Sequence, residues 1–116
     1  MALVVKKFGG SSLADLDCMR RVAQVITEAV EQGQQLVIVV SAVRGETDRF
    51  VQAARAITVF PDPREYDALL ASAEQSSAAL LSLLLIAQGI SAISLAGFQA
   101  GIATNNLFNK AHVESV

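Results

Sequence analysis

Residues 36–40, Leu-Val-Ile-Val-Val, form an unbroken apolar run dominated by β-branched side chains. Such a strand has no polar face, so it fits a parallel sheet covered on both sides. Parallel strands cannot be joined by a tight turn and need a crossover, usually a helix. The chain supplies one between Asp15 and Gln32, where Leu16, Met19, Val22, Ala23, Ile26, Ala29 and Val30 recur at three- and four-residue steps. Asp17, Arg20, Arg21, Gln24 and Glu28 fall mostly on the opposite face. Ser12 with Asp15 gives a start resembling a capping box, and Gly33 gives a stop. Upstream, Leu3, Val4 and Val5 read as a second buried strand. Strand, helix and strand make a βαβ unit, whose crossover is right-handed.

The junction after the first strand reads Lys6, Lys7, Phe8, Gly9, Gly10, Ser11, Ser12. Two glycines without Cβ atoms let the backbone turn sharply and bring its N–H groups against a ligand. The helix that follows directs its positive end to the same place, and Lys7 adds a mobile cation. Together these features make an anion site suited to phosphate. The alternative is a tight strand-to-helix turn with its lysines in solvent. After the second strand, the polar stretch 41–48 leaves the carboxyl end, where open α/β sheets bind ligands. Thr47 or Asp48 is equally suited to capping a helix over residues 48–58.

Pro61 and Pro63 end that helix, and another runs over residues 64–88. Its second half, 78–87, is apolar around the whole circumference and too short by itself to span a bilayer. This predicts a central helix, or one with a face buried against another subunit. Upstream, residues 72–77 form a polar island in which Glu74 projects from an apolar stripe. A carboxylate so placed is costly unless paired or facing a ligand. Residues 90–95 read as a third strand, followed by the glycine-bearing stretch 96–102. Asn105 and Asn106 mark a turn, and residues 111–116 suit an edge strand. The expectation is a three-layer α/β/α sandwich with a mainly parallel sheet, its strands near 3–8, 36–41 and 91–95.

The 116 residues are enough for one domain or part of a larger one, and 53% hydrophobic content excludes disorder as the whole account. A net charge of −2 offers no basic face to nucleic acid. Cys18 is the single cysteine, which excludes an internal disulfide, and it reads as a small helix filler. His112 stands alone, so no metal role is expected of it. The first residues are not a signal peptide, because the apolar run is short and the lysines follow it. A cytoplasmic protein with no membrane contact is expected.

Four blocks stand in order: residues 7–12, residues 39–42 leading to Thr47 and Asp48, residues 72–75, and residues 98–102. In order and spacing they resemble the N-terminal part of aspartate kinases, of the amino-acid kinase superfamily. The resemblance implies phosphoryl transfer from MgATP to the β-carboxylate of L-aspartate, with Mg2+ carried by the nucleotide. It assigns Lys7, Gly9, Gly10 and Ser11 to the ATP phosphates, with Lys7 as the catalytic cation. It assigns Ser12, Ser41, Thr47 and Glu74 to the substrate, Glu74 receiving the aspartate ammonium. Ser11 stands where the family usually has threonine, Ala73 where it has glycine, and Phe98 where it has tryptophan. Thr104-Asn105 and Ala111-His112 replace the family's usual Thr-Asp and Ala-Arg. The family's nucleotide-binding half and its regulatory ACT domains are not found in residues 1–116. A homo-oligomer is expected. The competing readings are another superfamily member, such as an acetylglutamate kinase, and a non-catalytic remnant that oligomerises through the 78–87 helix.

Overall fold

A computed structural model of the chain describes residues 2–116. Strand β1 (Leu3–Phe8) leads through a 3-10 turn (Gly10–Leu13) into helix α1 (Leu16–Glu31), which returns the chain to β2 (Gln35–Val40). The two strands are parallel, pairing Val5 with Val37 and Lys7 with Val39, so the βαβ unit is as expected. The start of α1 is not the expected one. Its N-cap is Asp15 itself, whose carboxylate accepts the Cys18 N–H at 2.8 Å. The same hydrogen bond holds the Asp15 carboxyl below the usual carboxylate range. Residues 10–13 are left to close a separate short turn, in which Ser12 N–H donates to the Gly9 carbonyl at 3.1 Å. At the other end, Gly33 takes φ +86°, a left-handed conformation that suits glycine.

Helix α2 (Glu46–Ile57) is followed by α3 (Pro63–Ala87), which starts on Pro63 behind an Asp62 cap that accepts the Glu65 N–H. The buried stripe of α3 is narrow: Ala73, Ser77, Leu81 and Leu85, one residue per turn. Leu81 and Leu85 meet Leu13, Met19, Val22, Ala23 and Ile26 in one core, against which Phe8, Leu36, Ile38 and Val40 pack. Of the two expectations, a central helix is met only on this stripe; Leu80, Leu83 and Ile86 are exposed, which leaves the alternative of a face against another subunit. By length and composition α3 could cross a membrane; here its stripe docks on α1 and β2.

Each strand alternates half-buried and exposed residues. Phe8, Leu36, Ile38 and Val40 meet the helices, whereas Leu3, Val5, Val37 and Val39 are 44–66% exposed on the opposite face. Within residues 2–116, therefore, the helices cover one face of the sheet.

Two strand expectations are corrected. Residues 91–95 form no ladder. The Ile90 N–H is taken by the Leu85 carbonyl at 2.9 Å, and the segment runs on unpaired. Ile90 and Ala92 still pack on the core, so apolar contact is made without strand pairing. The expected edge strand is β4 (Val113–Ser115), but it pairs antiparallel with β3 (Ala103–Thr104) in a separate two-stranded sheet. Its turn is organised by the Asn105 carboxamide, which accepts the Leu107 and His112 N–H groups. The Asn109 N–H ties this hairpin to α3 by donating to Asp67 at 2.7 Å.

Candidate functional site

The carboxyl ends of β1 and β2 lie side by side, as the register of Phe8 against Val40 requires. Two loops leave from them and touch. A Cβ placed on Gly10 would sit 3.5 Å from the Ala42 carbonyl oxygen and 3.9 Å from the Arg44 Cα, while one on Gly9 would meet nothing within 4 Å. Neither residue has positive φ, so these glycines are not required by backbone strain. Packing does not exclude a side chain at Gly9 either, and the space beside it is open.

The hydrogen bonding of the turn sharpens this. Ser12 N–H is spent on Gly9. Among the described residues, the N–H groups of Gly10 and Ser11 donate to no backbone carbonyl outside their own turn, and no side chain accepts from them. They sit just beyond Lys7, which is exposed on the uncovered face of the sheet, while Lys6 is half-buried on the covered face. Two amides with no protein partner among the described residues, three and four positions beyond an exposed lysine, are groups that can hold an oxyanion. The expected set Lys7, Gly9, Gly10, Ser11 and Ser12 is thus brought together at one sheet end.

Ser41 follows β2 directly and is half-buried; its N–H donates to the Phe8 carbonyl at 3.3 Å, tying the two loops together. Thr47 lies in the first turn of α2 and is also half-buried. Neither Thr47 nor Asp48 caps that helix. Its N-cap is Gly45 at φ +84°, because the left-handed turn swings the chain into α2 before either side chain can cap it. Arg49 is committed to Glu46, with contacts of 2.6 and 3.2 Å that lower the Glu46 carboxyl's pKa and raise that of the guanidinium.

Arg44 was missed by the sequence reading. It is exposed, forms no ion pair among the described residues, and its Cα lies against Gly10. A lone arginine in a polar loop carries no pattern that would have marked it.

Glu74 does not project from a buried stripe. It is exposed one position beyond Ala73, with no ion pair among the described residues, so the internal ion-pair explanation fails. The polar island around it is explained locally: Ser72 and Ser76 hydroxyls donate to the carbonyls of Leu69 and Ser72. Residues 96–101 form a self-contained turn in which Gln99 accepts the Ala96 N–H, and Phe98 is exposed. Cys18 is half-buried in the first turns of α1.

The family model for the amino acid kinase family matches residues 2–116. The chain belongs to this family. It is 42% identical over 113 residues to an aspartate kinase of Pseudomonas putida, a match that covers 97% of this chain and 28% of that one. An aspartokinase of Geobacillus stearothermophilus is 40% identical over all 116 residues, again across 28% of its own length. Among solved structures, aspartate kinase from Synechocystis superposes with a TM-score of 0.76 at 46% identity, over 80% of this chain and 16% of that one. The α/β class and the parallel β1–β2 pairing are those of an amino-acid kinase fold. The chain spans little more than a quarter of the curated relatives it matches.

Proposed function

We propose that this chain is the N-terminal part of an aspartate kinase domain and carries its phosphate-gripping end and part of its aspartate site. The nucleotide-binding half and the ACT regulatory domains of such an enzyme belong to sequence outside residues 1–116. The observation that carries the reading is the pair of N–H groups at Gly10 and Ser11 that have no protein partner among the described residues, in the turn that follows Lys7, in a chain whose relatives are named aspartate kinases.

The substrate β-carboxylate is ionised at neutral pH and needs no general base to attack. Catalysis then consists of bringing two anions into line and stabilising charge on the transferred phosphoryl group. Lys7 and the Gly10 and Ser11 amides meet the β- and γ-phosphates of ATP, with Gly9 leaving room for their approach. Mg2+, carried by those phosphates, lowers their charge. Ser12, Ser41 and Thr47 line the aspartate side, and Glu74 pairs with the substrate ammonium. The chain acts in the cytoplasm as part of a homo-oligomer, and the exposed α3 residues Leu80, Leu83 and Ile86 supply an apolar contact.

The test is direct. Inorganic tripolyphosphate added to the isolated chain should shift the amide resonances of Gly10 and Ser11, and Lys7→Ala should remove the effect. Unmoved Gly10 and Ser11 resonances at millimolar tripolyphosphate would refute the phosphate assignment.

A further inference from the structure

Two arginines stand beyond the carboxyl end of β2, and they differ in what they hold. Arg49, near the start of α2, is committed: its guanidinium grips Glu46 at 2.6 and 3.2 Å and lies 4.7 Å from the centre of the Phe50 ring. Arg44 is exposed, and among the described residues it pairs with neither Glu46, Asp48 nor any other carboxylate. Yet it does not sit on a loose loop. The Glu46 N–H donates to the Val43 carbonyl at 3.0 Å and closes a four-residue turn. Gly45, at φ +84° and ψ −13°, has the conformation required at the third position of a type II turn.

Arg44 is therefore the corner residue of a hydrogen-bonded turn, and that corner rests on the glycine turn after β1. A Cβ on Gly10 would sit 3.9 Å from the Arg44 Cα. The Ser41 N–H, donated to the Phe8 carbonyl at 3.3 Å, ties the same two loops together at the sheet. A long cationic side chain thus starts beside the Gly10 and Ser11 N–H groups, which have no protein partner among the described residues. We propose that Arg44 is a second phosphate-binding cation of this site, meeting the ATP polyphosphate from the β2 side while Lys7 meets it from β1. The inference rests on the proposed function and deepens it. A planar guanidinium can engage two phosphate oxygens at once, whereas the Lys7 ammonium is a point charge. The pair would fix the orientation of an anion that the two amides alone leave free to turn. The competing ligand is a carboxylate of the aspartate. The contact of Arg44 with Gly10, on the phosphate side of the site, favours the polyphosphate.

Titration of the chain with inorganic tripolyphosphate, read through the Gly10 and Ser11 amide resonances, tests this. The salt concentration is 0.15 M, at which exposed charges more than about 8 Å apart are largely screened. Arg44→Ala should weaken binding about tenfold. Its other resonances should stay in place, because the Arg44 side chain has no ion pair to lose among the described residues. Arg44→Lys should recover only part of the affinity, since an ammonium keeps the charge without the two-point contact. Arg55→Ala is the control for net charge. Arg55 is exposed in the last turn of α2, about 15 Å along the helix from Gly45, and its loss should change affinity less than about twofold. Arg44→Ala binding within about twofold of wild type, with binding abolished by Lys7→Ala, would overturn the inference and leave the proposed function standing. Equal losses in Arg44→Ala and Arg55→Ala would reduce the effect to diffuse attraction and overturn it too. So would an Arg44→Ala chain weakened toward L-aspartate but not toward tripolyphosphate. Gly10 and Ser11 resonances unmoved in the wild-type chain would refute the phosphate assignment, and this inference with it.

Discussion

Lys7→Ala, made in a chimera where this chain replaces the matching part of the Pseudomonas putida aspartate kinase, is the substitution on which the proposed chemistry depends most. Lys7 is the penultimate residue of β1, exposed, and free of any ion pair among the described residues. Removing it therefore breaks no internal contact that its ammonium makes. On the proposed function its ammonium acts on charge that develops between the γ-phosphoryl oxygens and the bridging oxygen. At about 4 Å and an effective dielectric near 20, one such pair is worth about 4 kcal/mol. Removing one preorganised donor at an oxyanion costs about 2.7–4 kcal/mol in measured cases. The Gly10 and Ser11 amides remain, so the lower end, about 3 kcal/mol, is the better figure, or roughly a hundredfold in kcat. The hydroxamate assay for aspartyl phosphate reads this directly, with KM for aspartate followed in parallel. KM should change little, because the lost charge interaction is strongest in the transition state. Lys6→Ala is the control: it removes a neighbouring cation from the covered face and should lower thermal stability more than kcat. A Lys7→Ala chimera keeping more than about a tenth of the parent kcat would refute the assignment.

Three further outcomes are expected. Gly9→Ala should leave the melting temperature of the isolated chain unchanged, since a Cβ there meets nothing within 4 Å and φ is −81°; in the chimera it should raise KM for ATP, and unchanged kinetics would free the glycine from any ligand role. Glu74→Gln in the chimera should raise KM for aspartate and leave that for ATP unchanged, with no loss of stability because the exposed carboxylate pairs with nothing in the described chain. For Asp15 the folded pKa lies below its ordinary 3.8, so the cap's contribution is complete above that value and fades as pH falls through the folded value. The stability gap between wild type and Asp15→Ala, followed by urea unfolding, should thus be flat near neutrality and narrow in strong acid. Asp15→Asn, whose amide oxygen still accepts the Cys18 N–H, should show a smaller gap.

Much of the fold was legible because its signals were local and repeated. The spacing of Met19, Val22, Ala23 and Ile26 specifies a helical face, and those four residues are buried. The break at Pro61 and Pro63 was equally clear, because a proline fixes φ and removes a donor whatever surrounds it. The meeting of Lys7, Gly9, Gly10, Ser11 and Ser12 at one sheet end was legible for the same reason: all fall within residues 7–12, and the turn at the end of β1 must bring them together. Glu74 and Arg44 were less so. A carboxylate one position away from Ala73 on α3 points about 100° from the buried stripe, so a small misjudgement of the stripe moves it from interior to solvent. Arg44 reaches the glycine loop only because the loops leaving β1 and β2 touch, a contact between segments more than thirty residues apart.

The third strand and the bare sheet face were illegible for a deeper reason. An apolar run states that its side chains need cover and is silent about which segment gives it. In residues 36–40 the pattern is continuous, yet Leu36, Ile38 and Val40 pack on the core that α1 and α3 share while Val37 and Val39 stay exposed within residues 2–116. Residues 90–95 divide the same way. Ile90 and Ala92 pack on the core, whereas Ile93 and Leu95 are exposed and the backbone forms no ladder. A helix can satisfy its own hydrogen bonds, so α1 forms wherever one face is covered. A strand needs a neighbour for its backbone and, in a parallel sheet, a layer on each side. The helices of this chain therefore formed as their sequences specified. The strand segments are half-satisfied: Val37, Val39, Ile93 and Leu95 stay exposed within residues 2–116, because a strand's second face depends on cover that its own sequence does not encode.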